Sequence, residues 1–301
     1  MKLSLKEQLI MLSMQNVSIK DCWLYLKLIM DLNFVEKDLD LYECHKIIES
    51  IRSITEFKHL NQINVYEAEE QIHEIRKLAS QSLVLTENNY PSLWRELPQP
   101  PLIVYYKGNI DCLNNPLVSI VGTRKMTPYG SQVTKQMTES ICEKGWGIVS
   151  GLSVGVDRIV HQTAQEANHQ STIAIIPTGF NQYYPLSNAV LQQELSENHL
   201  VISEYLPDTR AQKHHFIMRN RLVAGLTPAT LVIEASVNSG SLITANYALQ
   251  FNREVFALPG RVTDIQSRGC NQLIESGATP ILSCDDVIEN LQSLFEAQLW
   301  L

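Results

Sequence analysis

The sequence predicts an α/β protein: a Rossmann-like, doubly wound, mainly parallel sheet preceded by an all-helical N-terminal domain. Three observations carry that prediction. Residues 3–80 contain neither glycine nor proline and space their apolar residues at helical intervals. From residue 102 onward, short apolar runs alternate with helical stretches of about a dozen residues, the pattern of right-handed βαβ units whose sheet is covered on both faces. The turns after those runs are small and glycine-bearing, as the strand-to-helix turns of doubly wound sheets are.

In the first segment, Leu24, Leu28 and Ile29, then Ile47, Ile48, Ile51 and Ile54, then Ile72, Ile75 and Leu78 mark four or five short helices in a domain over residues 1–81. Acidic residues outnumber basic ones there, so a helical module with a solvated face is the better reading, ahead of direct contact with DNA. Residues 82–86 read as a short strand, Asn88-Asn89-Tyr90-Pro91 as a turn, and Leu97-Pro98-Gln99-Pro100-Pro101 as an extended connector. The second domain, residues 82–301, carries further strands at 102–106, 118–121, 147–149, 172–176, 200–203, 230–233, 254–257 and 279–282. Helices are expected at 129–143, 156–167, 188–197 and 242–250, with a last one at 285–294 and no third domain after it.

Composition narrows the function classes. Hydrophobic residues make up 45% of the chain and charged residues 19%, which excludes disorder, a collagen-like chain and a coiled-coil rod. The six cysteines are scattered, with no CxxC pair and no Cys/His metal spacing, so reduced, mostly buried thiols and no metal centre are expected. Glu7 and Gln8 interrupt any signal-peptide core in residues 1–14, and no run reaches the ~18 apolar residues of a membrane span, so a cytoplasmic location is expected. A net charge of −8 argues against a coat on duplex DNA and requires any nucleic-acid site to be a local basic groove.

In such a sheet, ligands lie beyond the carboxyl ends of the strands, near the point where strand order reverses. The residues there are Gly122-Thr123-Arg124, Ser150-Gly151-Leu152-Ser153-Val154-Gly155, Thr178-Gly179-Phe180 and Ser236-Val237-Asn238-Ser239-Gly240-Ser241. Each leads into a helix. Thr127 before Pro128 reads as an N-cap with proline at the first helical position, and Ser239 or Ser241 as the cap of the helix near Leu242. Helix N-termini present unpaired N–H groups and the positive end of the dipole, so several on one edge, with Arg124 beside them, predict a phosphate-binding rim. Glycine in a single turn can answer to geometry alone; the grouping carries the argument.

The segment from Arg210 to Arg221 is the most basic stretch, with Arg210, Lys213, Arg219 and Arg221 around His214, His215 and Phe216 and no acid. Cations for phosphates around a ring for bases are what an unpaired nucleic acid strand needs. The competing reading has Phe216 packed inward, with Arg219 and Arg221 paired to carboxylates such as Glu204 or Glu234. Arg221 is the more structural of the two.

Together these residues resemble one family. Ser119-Ile120-Val121-Gly122-Thr123-Arg124 is similar to the opening strand and G-[ST]-R turn of the DNA-processing protein A (DprA/Smf) family. Ser150-Gly151-Leu152 with Gly155-Val156-Asp157 and His161 resembles its S-G-x-x-x-G-[IV]-D-x-x-x-H segment. Ser203-Glu204-Tyr205, His215-Phe216 and Arg219-Asn220-Arg221 resemble S-E-Y and H-F-x-x-R-N-R. Ser239-Gly240-Ser241-Leu242-Ile243-Thr244-Ala245, Val255-Phe256-Ala257-Leu258-Pro259-Gly260 and Ser267-Arg268-Gly269-Cys270-Asn271 complete the series over about residues 82–285.

The resemblance implies a protein of natural transformation that binds and protects incoming single-stranded DNA and helps load the recombinase RecA, without catalysis or cofactor. It also implies a homodimer formed through the Rossmann-like domain near its C-terminal edge, and an N-terminal module of SAM-like or helix-hairpin-helix type. With the rim and the basic segment, DNA contacts are expected at Gly122, Thr123 and Arg124, at Ser150 and Gly151, at Lys213, Phe216, Arg219 and Asn220, and at Ser239, Gly240 and Ser241. The chain departs from the family at Val154, where a basic residue is usual, a loss that Arg158 could offset. It also departs in the expected absence of a winged-helix-like C-terminal domain.

A second class remains open, a nucleotide-binding enzyme or sensor resembling phosphoribohydrolases. Their P-G-G-x-G-T-x-x-E motif has no glutamate counterpart in Asn238–Ala245's sequence, and neither GxGxxG nor a Walker A lysine is present. Asp157 and His161 stand one helical turn apart as a possible acid–base pair, with helix-start capping and core packing as their plainer roles. A third class, an adaptor for a partner protein, stays open for the N-terminal helices.

Overall fold

The computed structural model describes residues 2–54, 70–167 and 172–298. It divides into two compact units, Met1–Tyr90 with Pro100–Tyr105, and Pro91–Gln99 with Tyr106–Leu301.

Four helices of the first unit lie among the described residues: α1 (Leu5–Met14), α2 (Ile19–Asp31), α3 (Leu41–Ile54) and α4 (Ile72–Ser80). Serines start the first two. Ser4 accepts from the Glu7 amide while Glu7 reaches back to the Ser4 N–H at 2.7 Å, and Ser18 accepts from Asp21. Of the helical apolar positions, Ile29, Ile47, Ile48, Ile75 and Leu78 are buried, while Leu24, Leu28 and Ile72 are half-buried. The side chains of Ile51 and Ile54 lie outside the described residues, as does any helix between residues 55 and 69. Residues 1–81 are not purely helical, contrary to expectation: strands β1 (Lys2–Leu3) and β2 (Leu39–Asp40) form a two-residue antiparallel ribbon. The expected strands near residues 82 and 102 are present as β3 (Ser82–Val84) and β4 (Ile103–Gly108), which pair antiparallel with Leu83 opposite Val104.

In the second unit, strand alternates with helix: β5 (Leu117–Val121), α6 (Pro128–Glu143), β6 (Gly147–Ser150), α7 (Val156–Glu166), β7 (Thr172–Ile176), α8 (Ala189–Asn198) and β8 (Leu200–Ser203). It continues with α9 (Lys213–Gly225), β9 (Ala229–Val232), α10 (Gly240–Gln250), β10 (Glu254–Ala257), α11 (Arg268–Glu275), β11 (Thr279–Pro280) and α12 (Cys284–Gln298), and a single helical turn, α5 (Ser92–Arg95), lies near its start. These strands are parallel, in the order β11-β10-β9-β5-β6-β7-β8. The chain winds outward from β5 to β8, then returns to lay β9 on the other side of β5. The reversal therefore falls between β5 and β9, as a doubly wound sheet requires.

Strand alternation sorts the helices onto two faces. Val118 and Ile120 join a core with Val133, Met137 and Ile141 of α6, Val156 and Val160 of α7, and Val287 and Leu291 of α12. Ser119 points the other way, and its hydroxyl donates to the Val223 carbonyl of α9 at 2.7 Å. Five of the six free cysteines are buried, and burial pushes the thiols of Cys142 and Cys270 up to about 12. Among the described residues no helix is long and apolar enough to cross a membrane.

Candidate nucleic-acid interface

A cleft of about 380 Å³ opens at the reversal point between β5 and β9. Its walls are the turns after β5, β6 and β9 and one face of α9. Each turn is shaped by close contact. A side chain on Gly122 would overlap that of Val156. Gly155 has φ +85°, and any side chain there would meet the Thr123 carbonyl and the Arg124 backbone. Thr123 donates its N–H to the Glu234 carbonyl at 2.7 Å, joining the β5 and β9 ends, and its own carbonyl accepts from Val156.

The expected caps are present. Thr127 caps α6 by accepting from Gly130, with Pro128 at the first position, and Ser239 caps α10 by accepting from Ser241. Asn220 of α9 donates to the Gly240 carbonyl at 3.2 Å, tying the two helices across the cleft. The N-terminus of α10 thus faces the opening, positive end outward.

Two side chains define the rim. The exposed Arg124 guanidinium lies 5.6 Å from the centroid of the half-buried Phe216 ring, so Phe216 is not a core residue. Tyr184 meets the same ring edge-on at 5.0 Å. Lys125 is exposed in the cleft lining, and exposed Lys213 sits one turn before Phe216, outside that lining. The carboxylates nearby are engaged: Glu234 accepts from the Thr127 amide and hydroxyl at 2.9 and 2.6 Å, and Asp157 is buried.

Beneath the rim lies a charged support. Arg219 and Asp157 both crowd the space where Gly151 lacks a side chain. Burial raises the Asp157 carboxyl pKa, while the Arg219 charge and the Ser153 N–H, which donates to it at 3.2 Å, act in the opposite direction. His161 does not pair with Asp157. Its Nε2 bonds the Gly151 carbonyl at 2.6 Å, so that nitrogen carries the proton, and its Nδ1 accepts from the Thr172 hydroxyl at 2.8 Å. Burial lowers its pKa to about 4.

The structure brings together Gly122, Thr123, Arg124 and Gly151 with Phe216, Arg219 and Asn220, and with Ser239, Gly240 and Ser241. Ser150 is a correction. It is fully buried outside the cleft lining, and its hydroxyl donates to the Ile120 carbonyl at 2.6 Å. Gly179 is another, since its turn lies outside the cleft and packs against Leu206 and Pro207. Arg219 lines the cleft but is buried, and Arg221 pairs with Glu204 in two contacts and donates to the Gln99 carbonyl. His215 is buried and stacked on Tyr205 at 4.0 Å, and Arg158 lies outside the cleft lining. Sequence reasoning missed Lys125 and Tyr184. Adjacency to Arg124 was the signal for the first, and two tyrosines in a turn after β7 for the second.

Comparison with known proteins matches these features to one group. The family model for DNA recombination-mediator protein A matches residues 81–292. DNA processing protein DprA of Bacillus subtilis is 39% identical over 217 residues, 72% of this chain and 73% of that protein. The X-ray structure of DprA from Streptococcus pneumoniae superposes with a TM-score of 0.81 at 32% identity, covering 96% of this chain and 98% of that one. A DprA structure from Helicobacter pylori, described for its single-stranded DNA binding mode, gives a TM-score of 0.64 at 33% identity over 71% of this chain and 96% of that one. With a reversal-point cleft built from the motifs of that family and a match over most of its length, the chain belongs to the DNA recombination-mediator protein A family.

Proposed function

We propose that the protein binds single-stranded DNA in the cleft between the β5 and β9 ends, without catalysis, and serves recombination of DNA taken up in natural transformation. The observation that carries this is the exposed Arg124 guanidinium beside the half-exposed Phe216 ring, in a cleft that the N-terminus of α10 also lines. A cation and an open ring side by side suit a phosphate and an unpaired base, and a duplex hides its base faces. The description of the H. pylori relative supports the same ligand class.

In this reading Arg124, Lys125 and Lys213 meet phosphates, and Phe216 stacks on a base. The backbone of Gly122, Thr123, Ser239, Gly240 and Ser241 lines the path, with Asn220 at its side. Ser150, Gly151 and Arg219 act from beneath by holding the floor in place. Protection of the incoming strand, loading of RecA and a homodimer through the second unit near its C-terminal edge belong to the proposal, as does a cytoplasmic site of action. Membership of a recombination-mediator family supports the part of this that concerns recombination. The absence of catalysis is supported by the candidate acid–base pair: Asp157 lies against Arg219, and His161 is committed to the Gly151 carbonyl.

The test is fluorescence anisotropy with labelled oligo-dT against a duplex of equal length across a salt series. The expected result is tighter binding to the single strand, with a log–log salt slope of roughly −2 to −3.5 for about three to five neutralised phosphates. Equal affinity for both, or turnover of AMP, NAD or ATP that Asp157→Ala abolishes, would overturn it.

A further inference from the structure

In the first unit, helix α2 carries an apolar flank that its own packing does not use. Cys22, Tyr25, Leu26 and Ile29 turn inward, and the Tyr25 hydroxyl donates to the Gln8 side chain of α1 at 2.7 Å, which fixes the rotation of the helix. The remaining surface of such a helix should be polar. Instead Ile19 is 59% exposed and Met30 52%, with half-buried Trp23 between them. Ile19, Trp23 and Met30 are four and seven residues apart in sequence, so they lie in one stripe along the helix.

A groove of about 370 Å³ follows this stripe, walled by Trp23, Leu24 and Met30. Among the described residues, the only charged side chains that line it are Lys20 and Lys27. Both are exposed, and helical periodicity places them side by side along the solvent edge of the stripe. A tryptophan and a methionine in an open apolar groove suit the leucine-like anchors of an amphipathic helix. The two lysines stand seven residues apart, two helical turns or about 10 Å, the spacing of carboxylates at i and i+7 on a partner helix. Exposed Asp31 ends α2, and exposed Glu36 and Asp38 follow it, so a continuous polyanion is repelled there while two discrete carboxylates are not.

We propose that this flank of α2 is a docking groove for an acidic amphipathic helix of another protein. Its apolar side chains seat against Trp23 and Met30, and its carboxylates pair with Lys20 and Lys27. The inference stands independently of the single-stranded DNA reading of the cleft.

The experiment uses the full chain and a fluorescein-labelled synthetic helix of about four turns. The helix carries leucines on one face and glutamates seven residues apart beside them, and a control has lysines for the glutamates. In anisotropy the glutamate helix should bind saturably and more weakly as salt rises, and the lysine helix should not bind. Trp23→Ala should weaken binding by about 10-fold or more, with circular dichroism to verify folding. Lys20→Glu combined with Lys27→Glu, a change of exposed side chains alone, should reverse the preference to the lysine helix and leave oligo-dT affinity unchanged. No binding of the glutamate helix, or a preference that the double variant does not alter, overturns the groove. So does a loss of oligo-dT affinity in that variant, which makes the flank a nucleic-acid surface. Phosphatidylglycerol vesicles that bind the parent and not the variant make it a membrane surface, and a fall in the mass of Trp23→Ala by light scattering makes it a contact between two copies; either result also overturns the proposal.

Discussion

Arg219 of α9 donates from Nη1 to the carbonyl of Ile175, the penultimate residue of β7, so one buried guanidinium ties a helix to the end of a strand. The same side chain supplies the positive charge beside Asp157. Its removal leaves a buried carboxylate without its cation. Arg219→Leu should lower the unfolding free energy by about 3–5 kcal/mol in urea titrations. Adding Asp157→Asn should restore part of that loss, and strict additivity of the two changes would refute the coupling.

Gly151 occupies the space between those two charged groups. A methyl there overlaps both, and neither is the free end of an exposed chain. Gly151→Ala should cost about 1–3 kcal/mol and weaken oligo-dT binding as the floor shifts. Parent-like stability would mean that the pair has room to move.

Acid should loosen the same region. The His161 pKa falls from 6.5 to about 4 on folding because burial disfavours the imidazolium. Between those values the unfolded chain binds more protons than the folded one, so stability rises with pH through this window and shrinks as pH falls. Its contribution should be about 2 kcal/mol smaller at pH 5 than at pH 7. Urea midpoints measured at both pH values should differ less in His161→Gln than in the parent.

Lys213 and Phe216 test the two halves of the binding mode separately. Lys213→Ala should make the log–log salt slope shallower by about 0.7–1 unit, the loss of one phosphate contact. Phe216→Ala should cost about 1–3 kcal/mol of affinity with little change in slope. If both bind like the parent in anisotropy, the strand lies elsewhere.

Most of the second unit was legible because its signals are local. The β5 run followed by Gly122, and Thr127 before Pro128, announce strand, turn and capped helix within a few residues. The helix α9 was not assigned because its sequence, Lys213 to Gly225, lacks an apolar stripe; it buries Arg219 and Arg221 instead. Those arginines meet the Ile175 carbonyl, Glu204 and the Gln99 carbonyl, all outside the segment, so no reading of the segment alone could place them. Ser150 misled for a related reason, since only the neighbouring strand reveals that its hydroxyl turns to Ile120. Tyr184 sits in a loop without periodicity, and its meeting with Phe216 depends on the sheet bringing the β7 end beside α9.

On α9, Phe216, Arg219, Asn220 and Val223 all line the cleft, while the Leu222 carbonyl accepts from the buried Trp94 indole at 3.0 Å. The same helix is thus tied to the Trp94 indole and, through Arg219, to the end of β7, so the place of the Phe216 ring in the cleft is set by contacts made outside it.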